Sequence, residues 1–301
     1  MTQNWQGNFN GIKTVYIEST AILLQGKHHH IMQKNFHYNN ANIFYRMEGE
    51  GIAVVLLHGF GEDGGVWDEQ IELKEYCKLI IPDLPGSGAS TFTKREPLAS
   101  TIEFYADCIY ALLKNENIDA CIMLGHSMGG YITLAFAEKY PQLLKGFGFV
   151  HSTAFADSEE KKQNRQRGIE LMDQYGSYAF LKNTTPNLFS NKFKKEHPRK
   201  INSLIERGNN FSKDALQDYY RAMMQRPDRT AVLKNSKIPV LFIIGTEDTA
   251  APMQDVLKQV HLPEIAYIHI LENTAHMGMW EASEKLNTAI LEFIKALSEN
   301  G

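Results

Sequence analysis

The sequence predicts an α/β fold in which a mostly parallel sheet is covered by helices on both faces. Short, continuous apolar runs alternate with segments of helical periodicity from about residue 35 onward. Runs that are apolar throughout, without period-two alternation, are typical of strands buried on both faces. Strands separated by helices are connected by crossovers and therefore run parallel. The chain has 301 residues, a length that suits one large α/β domain.

The predicted elements follow in a regular order. A hairpin occupies residues 35–48, with Asn39 and Asn40 at its turn. Buried strands are predicted at residues 52–57, 79–81, 121–124, 147–150, 240–244 and 265–271. Helices are predicted at residues 98–115, 128–140 and 281–297, the first of them with a capping box formed by Ser100 and Glu103.

The alternation is interrupted between residues 153 and 236, where the pattern is charged and helical. We therefore divide the chain into an N-terminal extension (1–31), a first core part (32–152), a helical insertion (153–236) and a second core part (237–301). The extension is polar and without sustained periodicity, so we expect it to be flexible. No second ligand cluster accompanies its three adjacent histidines, residues 28–30, so we predict no metal site there.

Composition narrows the range of partners. The chain has 31 basic and 35 acidic residues, and this balance offers no positive surplus for nucleic acid. Its three cysteines are too scattered for a disulfide framework or a CxxC zinc site and suit a reducing compartment. We find neither an apolar run of about 18 residues nor the basic segment of a secretory signal. We expect a cytoplasmic protein that does not insert into membranes, and a homodimer is left open.

A candidate nucleophile lies between a predicted strand and a predicted helix. Residues 124–130 read Leu-Gly-His-Ser-Met-Gly-Gly and place Ser127 in a G-x-S-x-G motif. Gly125 and Gly129 leave room around a tight, strained turn. The helix that follows presents its N-terminal N–H groups, which favour developing negative charge at the serine.

A serine hydroxyl needs a base, and His276 follows the last predicted strand. An imidazole with a pKa of about 6.5 accepts and returns a proton near neutral pH. Asp248, which follows the strand 240–244, is the candidate acid that orients this imidazole, with Glu247 and Asp157 as alternatives.

The strand 52–57 ends in His58-Gly59-Phe60-Gly61. A loop of this kind presents the backbone N–H of Phe60 to a carbonyl oxygen, and the N–H of Met128 is the second candidate donor. Together they predict an oxyanion hole.

These motifs resemble the α/β-hydrolase fold superfamily, in its serine esterase-like branch with an inserted helical cap. The resemblance covers residues 35–298 and keeps the family's order, serine before aspartate before histidine. The matching segments are residues 58–60, 83–88, 125–130, 245–248 and 275–276. The resemblance implies an eight-stranded, mostly parallel sheet with the helical insertion over the catalytic edge. Serine at the nucleophile position separates the chain from haloalkane dehalogenases and epoxide hydrolases, which carry aspartate there.

We therefore expect a cofactor-independent serine hydrolase that cleaves carboxylic esters of small to medium, partly apolar substrates through an acyl-enzyme. A C–C bond hydrolase or lactonase using the same residues is an alternative, as is a small-molecule receptor with slow hydrolysis. The sequence shows no metal-spaced ligand cluster and no phosphate-binding loop.

We assign no catalytic role to the other polar residues near the motifs. We expect His58 and His126 to be structural and Glu62 and Asp63 to be solvated. His151 follows a strand end, where it is either structural or lines the pocket.

Overall fold

The computed structural model describes residues 6–9, 12–15, 32–92 and 101–298. The strands are β1 (Gln6–Phe9), β2 (Ile12–Val15), β3 (Met32–Tyr38), β4 (Ala41–Glu48), β5 (Ala53–Leu57), β6 (Lys78–Pro82), β7 (Thr91–Phe92), β8 (Cys121–His126), β9 (Leu144–Val150), β10 (Val240–Gly245) and β11 (Ile265–Leu271).

Within the described residues these eleven strands form one sheet, in the order β1-β2-β11-β10-β9-β8-β5-β6-β4-β3, with β7 beside β4. The strands from β11 across to β6 pair in parallel. The hairpin β3–β4 joins them antiparallel at β6, with Asn39 in the left-handed region at its turn. The mostly parallel sheet and the eight predicted strands are thus confirmed, and β1, β2 and β7 are short additions of two to four residues.

Helices lie on both faces of this sheet. They are α1 (Ile102–Asn115), α2 (Met128–Lys139), α3 (Glu159–Tyr175), α4 (Ser177–Thr184), α5 (Asn191–Glu196), α6 (Pro198–Arg207), α7 (Lys213–Gln225), α8 (Thr230–Asn235), α9 (Met253–Leu257), α10 (Gly278–Glu281) and α11 (Ser283–Ser298). Short 3₁₀ segments occupy residues 64–75, 141–143, 185–188 and 208–210.

The apolar core is divided by the sheet into two layers. On one face, Val55 and Leu57 of β5 pack in a cluster with residues of α1 and α2. On the other face, Val54 and Leu56 pack in a second cluster with residues of α11. Consecutive residues of one strand thus belong to opposite layers, which explains why the strand is apolar throughout.

The helical insertion supplies α3 to α8, between β9 and β10. It contacts loops that follow the strands β5 and β6. The hydroxyl of Tyr219 donates to the carbonyl of Pro85 at 2.8 Å. The ring of Tyr220 stacks on Phe60 with centroids 4.2 Å apart. The insertion therefore packs against loops at the carboxyl ends of β5 and β6.

The N-terminal end of α1 differs from the sequence prediction. Helix α1 is capped by Thr101, whose side chain accepts from the N–H of Phe104. The predicted cap Ser100 lies outside the described residues, as do the histidines 28–30 and most of the extension. Among the helices that the structure describes, none is long and apolar enough to cross a membrane.

Two isoleucines of β11 provide a matched test of the core. Ile268 is 7% exposed, whereas Ile270, two residues further on, is 43% exposed. We expect Ile268→Ala to lower the free energy of unfolding by about 2–5 kcal/mol, because it leaves a cavity. We expect Ile270→Ala to change it by less than about 1 kcal/mol. Urea unfolding of both variants measures the difference, and equal losses would contradict the described difference in burial.

Candidate active site

Ser127 lies in a strained turn between β8 and α2. Its backbone has φ 48° and ψ −114°, in the left-handed half of conformational space that non-glycine residues avoid. A Cβ on Gly125 would collide with the backbone of Gly129, and a Cβ on Gly129 would collide with the carbonyl of Leu57. Glycine at both positions is therefore what allows helix α2 to pass so close to the sheet.

His276 and Asp248 meet across two loops. The carboxylate Oδ2 of Asp248 lies 2.8 Å from Nδ1 of His276. A carboxylate oxygen can only accept, so Nδ1 carries the proton and the neutral ring keeps Nε2 as an acceptor. Oδ1 of Asp248 accepts from the N–H groups of Ala250 and Ala251 at 2.8 and 2.9 Å. The aspartate is thus fixed from both sides.

His126, the chain neighbour of Ser127, contacts His276. The ring of His126 lies 4.8 Å from the ring of His276, centroid to centroid. Its Nε2 lies 3.0 Å from the backbone carbonyl of His276. The structure therefore brings all three candidate residues to the carboxyl edge of neighbouring parallel strands.

The two alternative acids lie elsewhere. Glu247 is exposed to solvent. Asp157 is buried, but its carboxylate accepts from Arg165 at 2.6 Å and pairs with Arg226 at 2.9 Å. Two permanently charged guanidinium groups hold it, so it is not available to orient an imidazole.

The candidate oxyanion loop follows β5. His58 fixes it by accepting from the N–H of Leu84 on Nε2 at 2.9 Å, while its Nδ1 lies 2.8 Å from the carbonyl of Gly59. Phe60, a residue of this loop, stacks on Tyr220 of the helical insertion. Met128 is the first residue of α2, where backbone N–H groups have no partner within the helix.

A family model described as the α/β hydrolase fold matches residues 52–283. The chain belongs to the α/β hydrolase family.

Solved structures resemble this α/β hydrolase over most of its length. An esterase from Thermogutta terrifontis, solved with malate bound, is 26% identical with a TM-score of 0.81, over 89% of this chain and 99% of the other. The enol-lactonase of Burkholderia xenovorans is 21% identical with a TM-score of 0.79, over 87% of this chain and 100% of the other.

Two curated relatives are similar at comparable length. The (E)-2-((N-methylformamido)methylene)succinate hydrolase of Acinetobacter baylyi is 25% identical over 85% of this chain and 95% of the relative. The 2-hydroxy-6-oxo-6-phenylhexa-2,4-dienoate hydrolase of Comamonas testosteroni is 25% identical over 84% of this chain and 91% of the relative.

A second histidine of this α/β hydrolase also contacts the aspartate. Nδ1 of His151 lies 3.1 Å from the same Oδ2 of Asp248. The sequence indicated only that His151 follows a strand end, and nothing in it pointed to a shared oxygen. Ligand-type atoms of His151, Asp248 and His276 lie within 4.8 Å of one another, a cluster that the sequence did not reveal. Both imidazoles point Nδ1 at the same oxygen of Asp248, so we interpret the cluster as hydrogen bonds to that oxygen.

Burial and charge act in opposite directions on this cluster. Burial disfavours the ionised carboxylate of Asp248, but the attraction of His276 and the hydrogen bonds outweigh it and hold the pKa of Asp248 well below its usual range. Burial also opposes the charge on His276, yet the carboxylate raises the pKa of that ring above 6.5. Burial prevails at His151 and lowers its pKa. The two histidines that share one oxygen therefore differ in proton affinity.

The expectation that Glu62 and Asp63 are solvated is wrong. Glu62 is buried, and its Oε2 accepts from the N–H of Gly59 at 2.7 Å and lies 3.0 Å from Nδ1 of His126. Burial alone would raise the pKa of Glu62, but His126 outweighs it and the pKa is lowered. Asp63 is half-buried, caps the 3₁₀ segment 64–75, and pairs with Arg207 at 3.2 Å.

Both ring nitrogens of His126 face oxygen atoms, of Glu62 and of the His276 carbonyl. The buried carboxylate of Glu62 can only accept, so Nδ1 of His126 is the donor in this buried pair. This pair supports the backbone on either side of the candidate residues. Sequence reasoning missed it because the partners are 64 positions apart.

Glu62→Gln tests that pair. We expect it to lower the free energy of unfolding by about 1–3 kcal/mol at pH 7, because the buried N–H groups of Gly59 and His126 lose a charged acceptor. The exposed Glu247→Gln is the matched control and should change it by less than about 0.5 kcal/mol. Because the folded state depresses the pKa of Glu62, its stabilisation exists above the unfolded value of 4.5 and disappears as the pH falls through the folded pKa. Urea unfolding at pH 7 and pH 4 measures both effects. The same difference in free energy of unfolding between wild type and Glu62→Gln at both pH values would contradict them.

Proposed function

We propose that this protein is a serine hydrolase that cleaves carboxylic esters of small to medium, partly apolar substrates through an acyl-enzyme. The observation that carries the proposal is the 2.8 Å contact between Asp248 and His276 at the sheet edge where Ser127 occupies its strained turn. No metal or cofactor is needed for this chemistry.

In the first half of the reaction, Ser127 Oγ attacks the carbonyl carbon of the ester. His276 Nε2 takes the hydroxyl proton as the C–O bond to the serine forms. The same imidazolium then protonates the departing alcohol, which leaves an acyl group on Ser127. In the second half, neutral His276 activates a water that hydrolyses the acyl-enzyme and regenerates the serine.

Asp248 stabilises the imidazolium that forms at each step. Because its pKa is held far below neutrality, it remains a carboxylate throughout. It holds the proton of His276 on Nδ1 and so keeps Nε2 free to act as the base.

Negative charge develops on the carbonyl oxygen in each transition state. The backbone N–H groups of Phe60 and Met128 are the proposed donors to that oxygen. Fixed donors of this kind act without reorganising, and losing one typically costs about 3 kcal/mol of transition-state stabilisation.

The substrate preference follows from the aromatic cover of the oxyanion loop. Phe60 packs face to face with Tyr220 and edge to face with Phe180, both from the helical insertion. These rings offer apolar surface next to the proposed oxyanion donors. The esterase from Thermogutta terrifontis, 26% identical, supports the ester chemistry.

Ser127→Ala should abolish ester cleavage. We expect kcat on p-nitrophenyl esters to fall by at least about 10⁴-fold, because removing the nucleophile disables the whole catalytic unit. Asp248→Asn should lower kcat by about 10⁴-fold, since an amide no longer enforces the required tautomer of His276. Rates on acyl chains from acetate to decanoate measure both effects and size the pocket.

Ser203→Ala, an exposed serine on α6, is the control and should retain full activity. A fluorophosphonate probe should label wild type and Ser203→Ala but not Ser127→Ala. Undiminished turnover in Ser127→Ala would refute the assignment of the nucleophile.

The pH profile of kcat/KM should report the ionisation of His276. The base must be neutral in the free enzyme, so activity should fall as the pH drops through its pKa. Because the carboxylate raises that pKa, we expect the midpoint of the acidic limb above 6.5. Initial rates from about pH 5 to 9, with stability checked by preincubation at each pH, measure it. A flat profile between about pH 5 and 8 would exclude a histidine base.

A second candidate activity is supported by the relatives. The Comamonas testosteroni protein is named as a hydrolase of a 2-hydroxy-6-oxo-dienoate, and the Burkholderia xenovorans structure as an enol-lactonase. Product analysis with vinylogous diketones and with lactones separates these activities from ester cleavage. Labelling of Ser127 without turnover of any p-nitrophenyl ester would favour this second candidate.

A further inference from the structure

Asp248 receives two imidazoles on one oxygen atom. Nδ1 of His276 and Nδ1 of His151 lie 2.8 and 3.1 Å from its Oδ2. Because a carboxylate only accepts, both rings carry their proton on Nδ1. Two donors on one oxygen compete for the same negative charge, so the strength of one hydrogen bond depends on the presence of the other.

The backbone holds His151 for this contact at some conformational cost. His151 has φ 52°, in the left-handed region, directly after β9. Its N–H donates to the carbonyl of Ile243 on β10 at 3.0 Å. Its ring fits only because residue 278 is glycine, where a Cβ would collide with His151 Nε2.

The far nitrogen of His151 has no hydrogen-bonding role. Nε2 is buried and has no partner within the part of the chain that the structure describes. The ring is 1% exposed, so it does not meet bulk solvent. Among the described residues the side chain of His151 therefore makes its polar contact with Asp248, and this contact explains its position better than lining of the substrate pocket does.

We propose that His151 is a positioning residue that sets the proton affinity of His276 through the oxygen of Asp248 that they share. This inference rests on the proposed function of His276 as the base. His151 does not touch the reacting atoms and transfers no proton. As a neutral donor, it withdraws negative charge from the carboxylate that stabilises the imidazolium of His276.

The other ionisable groups near the two rings are few among the described residues. Asp248 and Glu62 attract a proton to His276, and Lys161 of α3 opposes it. His126 and His276 both act against protonation of His151, and the burial of His151 is the largest contribution in the same direction. His151 therefore stays neutral while His276 ionises.

The direction of the effect follows from this arrangement. Removing the His151 donor leaves Asp248 with more negative charge on Oδ2, so the carboxylate attracts the proton of His276 more strongly. The pKa of His276 should rise by about one pH unit. The acidic limb of kcat/KM should move to higher pH by the same amount, and the rate at pH 8.5 should change much less than the rate at pH 6.5.

His151→Asn and His151→Leu form the test, because their side chains have similar size. The asparagine amide nitrogen can replace Nδ1 as the donor, and asparagine tolerates the left-handed backbone. We expect the acidic limb of kcat/KM in His151→Asn to have its midpoint within about 0.3 pH units of wild type. We expect the limb of His151→Leu to shift by about one unit to higher pH. The proposal would be overturned if this midpoint were the same in wild type and His151→Leu, or if it shifted equally in both variants.

A measurement on the wild type keeps the test independent of folding in the variants. Imidazole ¹⁵N shifts, assigned with His276→Gln, should show His151 neutral with its proton on Nδ1 from pH 5 to 9 while His276 titrates. A cationic His151, or a proton on its Nε2, would overturn the proposal.

Titration of His276 in each variant separates a failure of the proposed function from a failure of the role proposed for His151. If ester cleavage does not depend on Ser127, the proposed function fails, yet the pKa of His276 in each variant still reports the coupling. If cleavage depends on Ser127 but the pKa of His276 is the same in all variants, only the role of His151 fails.

Discussion

The arrangement of the site depends on keeping the charge of the Asp248 carboxylate buried. An ionised group out of water is costly unless donors replace its solvation. Asp248 meets this requirement with donors from three segments: its own loop after β10, the turn after β9 that carries His151, and the loop after β11 that carries His276. These segments converge because β9, β10 and β11 are parallel neighbours whose carboxyl ends share one edge. The sheet order is therefore a condition for a stable negative charge at this point.

The loop of His276 is held from a second side as well. His126 contacts its carbonyl at 3.0 Å and is in turn paired with Glu62. His276 thus lies between two carboxylate–histidine pairs, one acting on its side chain and one on its backbone. Such support from both directions fixes the ring without restricting Nε2, the atom proposed to move a proton. Positioning of this kind is what general-base catalysis requires, since small displacements of the base are costly in rate.

The sequence predicted those parts of the site that are encoded locally. The turn at Ser127 is read from glycines within two or three positions of it, and β10 and β11 place Asp248 and His276 by counting from the strand ends. The same reasoning failed for Glu62, which looks like one of two acidic loop residues and is in fact buried against His126. It also left His151 undecided. In both cases the partner is 64 to 97 positions away, and no local pattern records which oxygen a side chain will meet.

The buried aspartates Asp157 and Asp248 differ in the chemistry of their partners. Asp157 is neutralised by Arg165 and Arg226, which remain charged at any pH the protein meets, so that group is a fixed ion pair joining helices of the insertion. Asp248 instead accepts hydrogen bonds from two imidazoles, of which His151 stays neutral and His276 can gain a proton near neutral pH. Only the second arrangement allows charge to appear and disappear beside a carboxylate during a reaction. The difference between guanidinium and imidazole donors, more than burial or distance, is what suits the edge near Ser127 to the proton transfer proposed for His276.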